Sequence, residues 1–152
     1  METPEIVFAP STEVFRQMTT QPGWALASTK GSTIVLQPQA VLHAQGRDAS
    51  ATLLHEMLHV LVEAESSERA PLWLREGLVE ALAQEDVRPL RVAPASAVSL
   101  NTIEKTLSHP DSLQSSERAH RAAAATVQML IARYGLPTVR GWLSSGVPAG
   151  VL

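Results

Sequence analysis

The sequence contains no cysteine. That excludes disulfide bonds and every thiolate metal site, so any metal ligand must be a His, Asp or Glu side chain. No cluster of basic residues stands out, and the formal net charge is −3. Nucleic acid is therefore not an expected partner. No apolar run approaches the ~18 residues of a transmembrane helix. The opening "METPEIVFAP" carries no charged n-region followed by an apolar h-region. That agrees with a cytoplasmic chain, and equally with a domain of a longer, exported protein. There is no internal repeat. Four alanines at 122–125 are read as a helix core or a close-packing face. What remains is a chain of 152 residues, the length of one domain. A domain of this size buries roughly 68–70% of its unfolded surface and needs no staple.

The first 45 residues read as strands and loops. "EIVFAP" is a short apolar run closed by proline, and "WALASTKGSTIVLQP" reads as two short strands around a Lys30-Gly31 turn. After the turn cluster "AQGRDAS", Asp48 or Ser50 is placed to cap a helix running from Ala51 to about Glu65. Pro71 suits the first turn of a second helix, Leu72 to about Gln84. A proline-bearing loop, "EDVRPLRVAPASAVS", follows. Asn101 or Thr102 is expected to cap a short helix to about Leu107. Ser115 or Ser116 is expected to begin a long helix that Gly135 ends, and a last short helix follows Pro137. The residues expected in the core include Met57, Leu58, Leu61, Trp73, Leu78, Val127 and Leu130.

The chemistry concentrates in "LLHEMLHVLVE", residues 53–63. On a helical wheel Leu53, Met57 and Val60 share one side, and Leu54, Leu58 and Leu61 another. Thr52, His55, Glu56, His59 and Glu63 fall in one polar stripe about 100° wide. His55 and His59 project one turn apart, so two imidazoles can grip one ion, and Glu56 lies next to them. This is the His-Glu-x-x-His pattern of zinc hydrolases. Neutral imidazoles bind Zn²⁺ at roughly 2.0–2.1 Å, and a catalytic site keeps one position for water. A carboxylate beside that water can take its proton and pass it to a leaving amine. The plain alternative is a pair of histidines satisfied by hydrogen bonds. Against it, three specified positions share one stripe of an otherwise apolar helix.

A catalytic or structural zinc site needs a third protein ligand. "APLWLREGLVEAL" places Glu76 and Glu80 four apart on one helix face. Glu76 could complete a His₂Glu set with His55 and His59, and Glu80 could accept the outer N–H of a ligand histidine and so fix its tautomer. Together the two segments resemble the gluzincin metallopeptidases, which include thermolysin-like peptidases and zinc aminopeptidases. "WLREG" is similar to the aminopeptidases' Trp-Leu-x-Glu-Gly sequence, whose Glu ligates zinc, so the resemblance assigns the third ligand to Glu76. Glu80 falls four residues on, where thermolysin-like enzymes carry an Asp that orients a ligand histidine. Sixteen residues, 60 to 75, separate His59 from Glu76, slightly fewer than in the aminopeptidases. The resemblance covers residues 50–84 and extends more weakly to either side. Upstream, the strand pair is similar to one whose edge strand pairs with extended substrate. Downstream, a Tyr or His early in a long helix often stabilises the oxyanion, which points to His120, with Arg118 and Arg121 as weaker candidates. His43 and His109 receive no role. The aminopeptidases' Gly-x-Met-Glu-Asn sequence is absent, and the chain is much shorter than either enzyme class.

The expected fold is α+β: a small N-terminal antiparallel β-sheet followed by four or five helices, with a zincin-like metallopeptidase core. The expected function is a zinc-dependent metallopeptidase acting on a peptide or protein substrate. In it His55, His59 and Glu76 bind Zn²⁺, Glu56 is general base and then acid, His120 polarises the oxyanion, and Glu80 stands in the second sphere. The first alternative is a catalytically silent zinc-binding structural or recognition module of a larger protein, at a cell envelope. The second is a helical domain whose His and Glu residues are incidental. The resemblance leans towards an extracytoplasmic or envelope setting. Substrate preference and oligomeric state are not legible.

Overall fold

The computed structural model describes residues 3–83 and 97–152. They divide into two compact units, Met1–Ala64 and Glu65–Leu152. The secondary structure is α+β, with one three-stranded sheet and seven helices among the described residues. Among those residues no helix is long and apolar enough to cross a membrane.

The first unit opens with β1 (Glu5–Phe8), α1 (Thr12–Thr19), β2 (Ala27–Lys30) and β3 (Thr33–Leu36). Strand β3 is central, in the order β1-β3-β2. It pairs antiparallel with β2, from Ala27↔Leu36 to Lys30↔Thr33. Gly31 and Ser32 close this hairpin, and Gly31 takes φ +60 at the first loop position, where a two-residue type II′ turn favours glycine. The other pairing corrects the expectation of an antiparallel sheet. Strands β1 and β3 run parallel, Glu5↔Thr33 to Phe8↔Leu36, so the sheet is mixed. Parallel neighbours require a crossover connection, and here α1 and β2 supply it.

Helix α1 was not legible as a helix, because its eight residues are shorter than the window over which a 3.6-residue period declares itself. It forms because the Ser11 side chain accepts the Val14 N–H at 3.2 Å and Phe15 is fully buried. Phe15 packs with Ala9, Val35 and the half-buried Ala25 on one face of the sheet. Residues Ile34 and Leu36 point to the other face and pack with Val60, Ala27 and Leu53. Each fully buried side chain of this size contributes roughly 1.5–3 kcal/mol. Gln37, also fully buried, accepts the Thr12 hydroxyl at 3.0 Å and donates to the carbonyls of Ala25 and Gly23 at 2.9 and 3.3 Å. A short α2 (Gln39–Ala44) leads to α3 (Ala49–Glu65). With α1 and α2 present, the seven helices exceed the expected four or five.

The second unit holds α4 (Leu72–Ala83), α5 (Ala97–Ser108), α6 (Leu113–Tyr134) and α7 (Leu136–Ser145). Gln84 and positions 85–96 of the expected proline-bearing loop lie outside the described residues. Pro71 precedes α4, and its carbonyl accepts the N–H groups of Leu74 and Arg75. The free N–H groups of Leu72 and Trp73 donate to the Glu104 carboxylate of α5, at 2.7 and 2.8 Å. Helix α5 starts before Asn101 and Thr102, which lie inside it rather than capping it. Helix α6 also starts earlier than expected, because Ser112 forms a capping box with Ser115. Gly135 ends α6 with φ +83.

The tightest contact in this unit is between α4 and α6. Gly77 meets the alanine run so closely that an added Cβ would lie 2.6 Å from the Ala123 carbonyl oxygen. Ala123, Ala124 and Ala125 are buried, so the run is a close-packing face. Trp73, Leu78, Val127 and Leu130 are core residues as expected. Leu58 is half-buried. Met57 and Leu61 are not core: with Leu54 they are 42–44% exposed along one side of α3.

Candidate metal centre

Helix α3 begins where the sequence placed a cap. The Asp48 side chain accepts the Ser50 N–H at 3.0 Å, and its carbonyl accepts the Thr52 N–H at 3.0 Å. From that start, Leu53, Glu56 and Val60 fall on one stripe at spacings of three and four. Leu53 and Val60 rest against Ile34, Leu36 and Ala27 of the sheet. Glu56, between them, is carried under the sheet and is only 7% exposed. This redraws the expected wheel. Glu56 belongs to the sheet-facing stripe, and Met57, assigned there from sequence, faces outward.

His55 and His59 flank Glu56, both half-buried. Their Nε2 atoms lie 3.1 Å apart, with the rings edge to face at 4.8 Å between centroids. Two nitrogens on one tetrahedral ion at ~2.05 Å would lie about 3.3 Å apart. The spacing suits two nitrogens on one ion, and it equally suits a hydrogen bond between the two rings. A ligand atom from each of His55, Glu56 and His59 lies within 4.8 Å of the others, so this group could hold a metal ion. Its donors are nitrogen and oxygen, which suit several divalent metals, and the geometry does not choose among them.

A residue that sequence reasoning missed completes the surroundings of Glu56. The Thr29 hydroxyl of β2 donates to Glu56 Oε2. Thr29 pairs with Ile34 in register and shares a face with Ala27, two residues earlier. That face is the one α3 covers. No local sequence signal marks Thr29, since only the strand register brings it to the carboxylate.

Glu76, Glu80 and His120 belong to the second unit. There α4 and α6 bring Glu76 and His120 together, with His120 Nε2 3.3 Å from Glu76 Oε2. The ring's Nδ1 lies 2.8 Å from the Ser116 carbonyl, one turn earlier on α6, and 3.4 Å from the Ser116 hydroxyl. With a proton on each nitrogen the ring donates to both partners. Burial works to lower the His120 pKa. The Glu76 hydrogen bond and charge outweigh it, helped by the Ser116 carbonyl and the charge of Glu80, and raise it to about 9. Glu80 thus acts on His120 through its field. The Ser116–His120 spacing of four was visible in the sequence and went unread. Arg118 and Arg121 are exposed on α6, and His43 and His109 are exposed elsewhere.

No protein-family model, curated protein sequence or solved structure matches the chain.

Proposed function

We propose that this chain is a zinc-dependent metallopeptidase in which Glu56 carries the proton of hydrolysis. The observation behind the reading is the convergence of His55 Nε2 and His59 Nε2, 3.1 Å apart, beside a carboxylate that is 7% exposed. The donor set fits a divalent cation, since neutral imidazoles are good ligands and a carboxylate so buried is costly without positive charge nearby. His55, His59 and Glu76 would hold the ion. Glu76 enters on the Trp-Leu-x-Glu-Gly resemblance, and Glu80 is assigned a second-sphere role on the same ground. Zinc is preferred because two His, one Glu and an open position suit it. When bound, it supplies Lewis acidity, lowering the pKa of a water towards ~7 and polarising the scissile carbonyl.

The chain's own residues do the rest. Glu56 takes a proton from the attacking water as the water oxygen bonds to the carbonyl carbon. As the C–N bond breaks, Glu56 returns that proton to the departing amine nitrogen and ends as it began. The resemblance alone gives His120 the part of stabilising the tetrahedral oxyanion. β2, an edge strand, offers backbone to an extended peptide.

Replacing Glu56 by Gln tests this. The variant should keep its circular dichroism and its metal content while hydrolysis of labelled casein falls by about 10²- to 10⁴-fold, the usual contribution of a general base. Activity retained in Glu56→Gln refutes the mechanism. A second reading, a zinc-binding module that does not hydrolyse, draws on the contact between Glu76 and His120, which satisfies the carboxylate within the second unit. Digestion of a peptide library by metal-loaded protein separates the two.

A further inference from the structure

We propose that Thr29 is the positioning residue for Glu56, fixing which carboxylate oxygen takes the proton; the proposal rests on the metallopeptidase reading of Glu56. The hydroxyl donates to Oε2. That leaves the transferred proton to Oε1. A Glu side chain turns about three torsions, and a general base must stay within hydrogen-bond reach of the water it deprotonates. Pinning one oxygen removes that freedom.

Thr29 is built for the task. Its β-branched side chain is stiff about its first torsion. Its strand is held on β3 by register from Ala27↔Leu36 to Lys30↔Thr33. Its neighbour on the same face, Ala27, packs beside Ile34, Leu36 and Val60. The donor therefore sits on a strand, and the base on a helix packed against that strand's sheet. A site supported from a second element in this way holds its geometry better than one left to a single flexible side chain.

The test compares wild type, Thr29→Val and Thr29→Ser, each zinc-loaded, on fluorescein-labelled casein, with zinc content measured for each. Valine keeps the shape and strand preference of threonine and removes only the donor. Thr29→Val should fall about 10- to 100-fold in kcat, the usual loss for a supporting hydrogen bond of this kind. KM and zinc content should hold, and Thr29→Ser should regain most of the rate. Wild-type kcat in Thr29→Val overturns the proposal. So does a loss that Thr29→Ser shares in full, or one explained by missing zinc. A second readout needs no catalysis: urea midpoints of metal-free wild type, Thr29→Val, Glu56→Ala and the double variant. The single shifts should fail to sum to the double shift, because the two groups are in contact. Additive shifts overturn the proposal. If zinc-loaded wild type leaves casein intact, the metallopeptidase reading fails, and the urea cycle alone decides whether Thr29 holds Glu56.

Discussion

Two glycine-to-alanine substitutions should move stability in opposite directions. Both Gly77 and Gly141 lie inside helices, α4 and α7, where alanine is intrinsically better by roughly 0.8–1 kcal/mol. At Gly141 a new Cβ meets nothing within 4 Å, so Gly141→Ala should keep most of that gain. At Gly77 the new Cβ would lie 2.6 Å from the Ala123 carbonyl oxygen, 2.6 Å from Val127 Cγ2 and 2.9 Å from the Ala123 carbonyl carbon. Two of these three atoms are backbone, so α4 and α6 would have to part by nearly an ångström. Overpacking costs about 1–3 kcal/mol, and rigid neighbours put this site at the upper end. Against the propensity gain, the net loss is about 2 kcal/mol. At roughly 2–4 °C per kcal/mol for a chain of this length, Tm should fall by about 4–8 °C. Gly141→Ala should raise it by about 2–4 °C. Thermal unfolding followed by circular dichroism at 222 nm reads both. An unchanged or higher Tm for Gly77→Ala would refute the close approach of α4 to the alanine run. Gly77 follows Glu76, so moving α4 should also loosen the contact between Glu76 and His120.

Other outcomes follow from the same geometry. The His120 pKa is raised to about 9 in the folded protein. Its stabilising contribution is therefore fully present below the unfolded value of ~6.5 and lost as pH rises through about 9. Urea midpoints of metal-free protein should decline over that window, and His120→Gln should flatten the decline; an equal slope in both proteins contradicts the ion pair. Glu104→Ala should destabilise by about 1–2 kcal/mol, as expected for loss of a helix cap, because it strips the acceptor from the N–H groups of Leu72 and Trp73. A urea midpoint within error of wild type would show that α4 does not depend on that carboxylate.

Legibility in the sequence tracked the range of the interaction. The hairpin around Gly31, the cap at Asp48 and the stop at Gly135 are local devices, and each stands where the sequence placed it. The five longer helices were also readable, since their apolar periods run for ten residues or more. The short helices α1 and α2 were not. The parallel pairing of β1 with β3 was hidden for the same reason, since it depends on the crossover that α1 begins. The start of α6 was misplaced because Ser112 recruits Ser115 into a capping box, whereas α4 begins at Leu72 as expected even though its cap is a carboxylate 31–32 residues away.

At the candidate site, the convergence of His55 and His59 is a property of one helix and was legible. The burial of Glu56 and its bond from Thr29 are properties of how α3 lies on the sheet, which no spacing within α3 encodes. The exposed side of α3 makes the same point. Met57 and Leu61 read as core on a wheel, yet the sheet covers Leu53, Glu56 and Val60 instead.

The central claim is that His55 and His59 grip one ion. Its most direct test is the metal content of the purified protein by elemental mass spectrometry, run beside His59→Ala. The account predicts near one zinc per wild-type chain and its loss in the variant. No metal in either protein, after incubation with zinc at neutral pH, would contradict it, and His55, Glu56 and His59 would then be structural residues of α3.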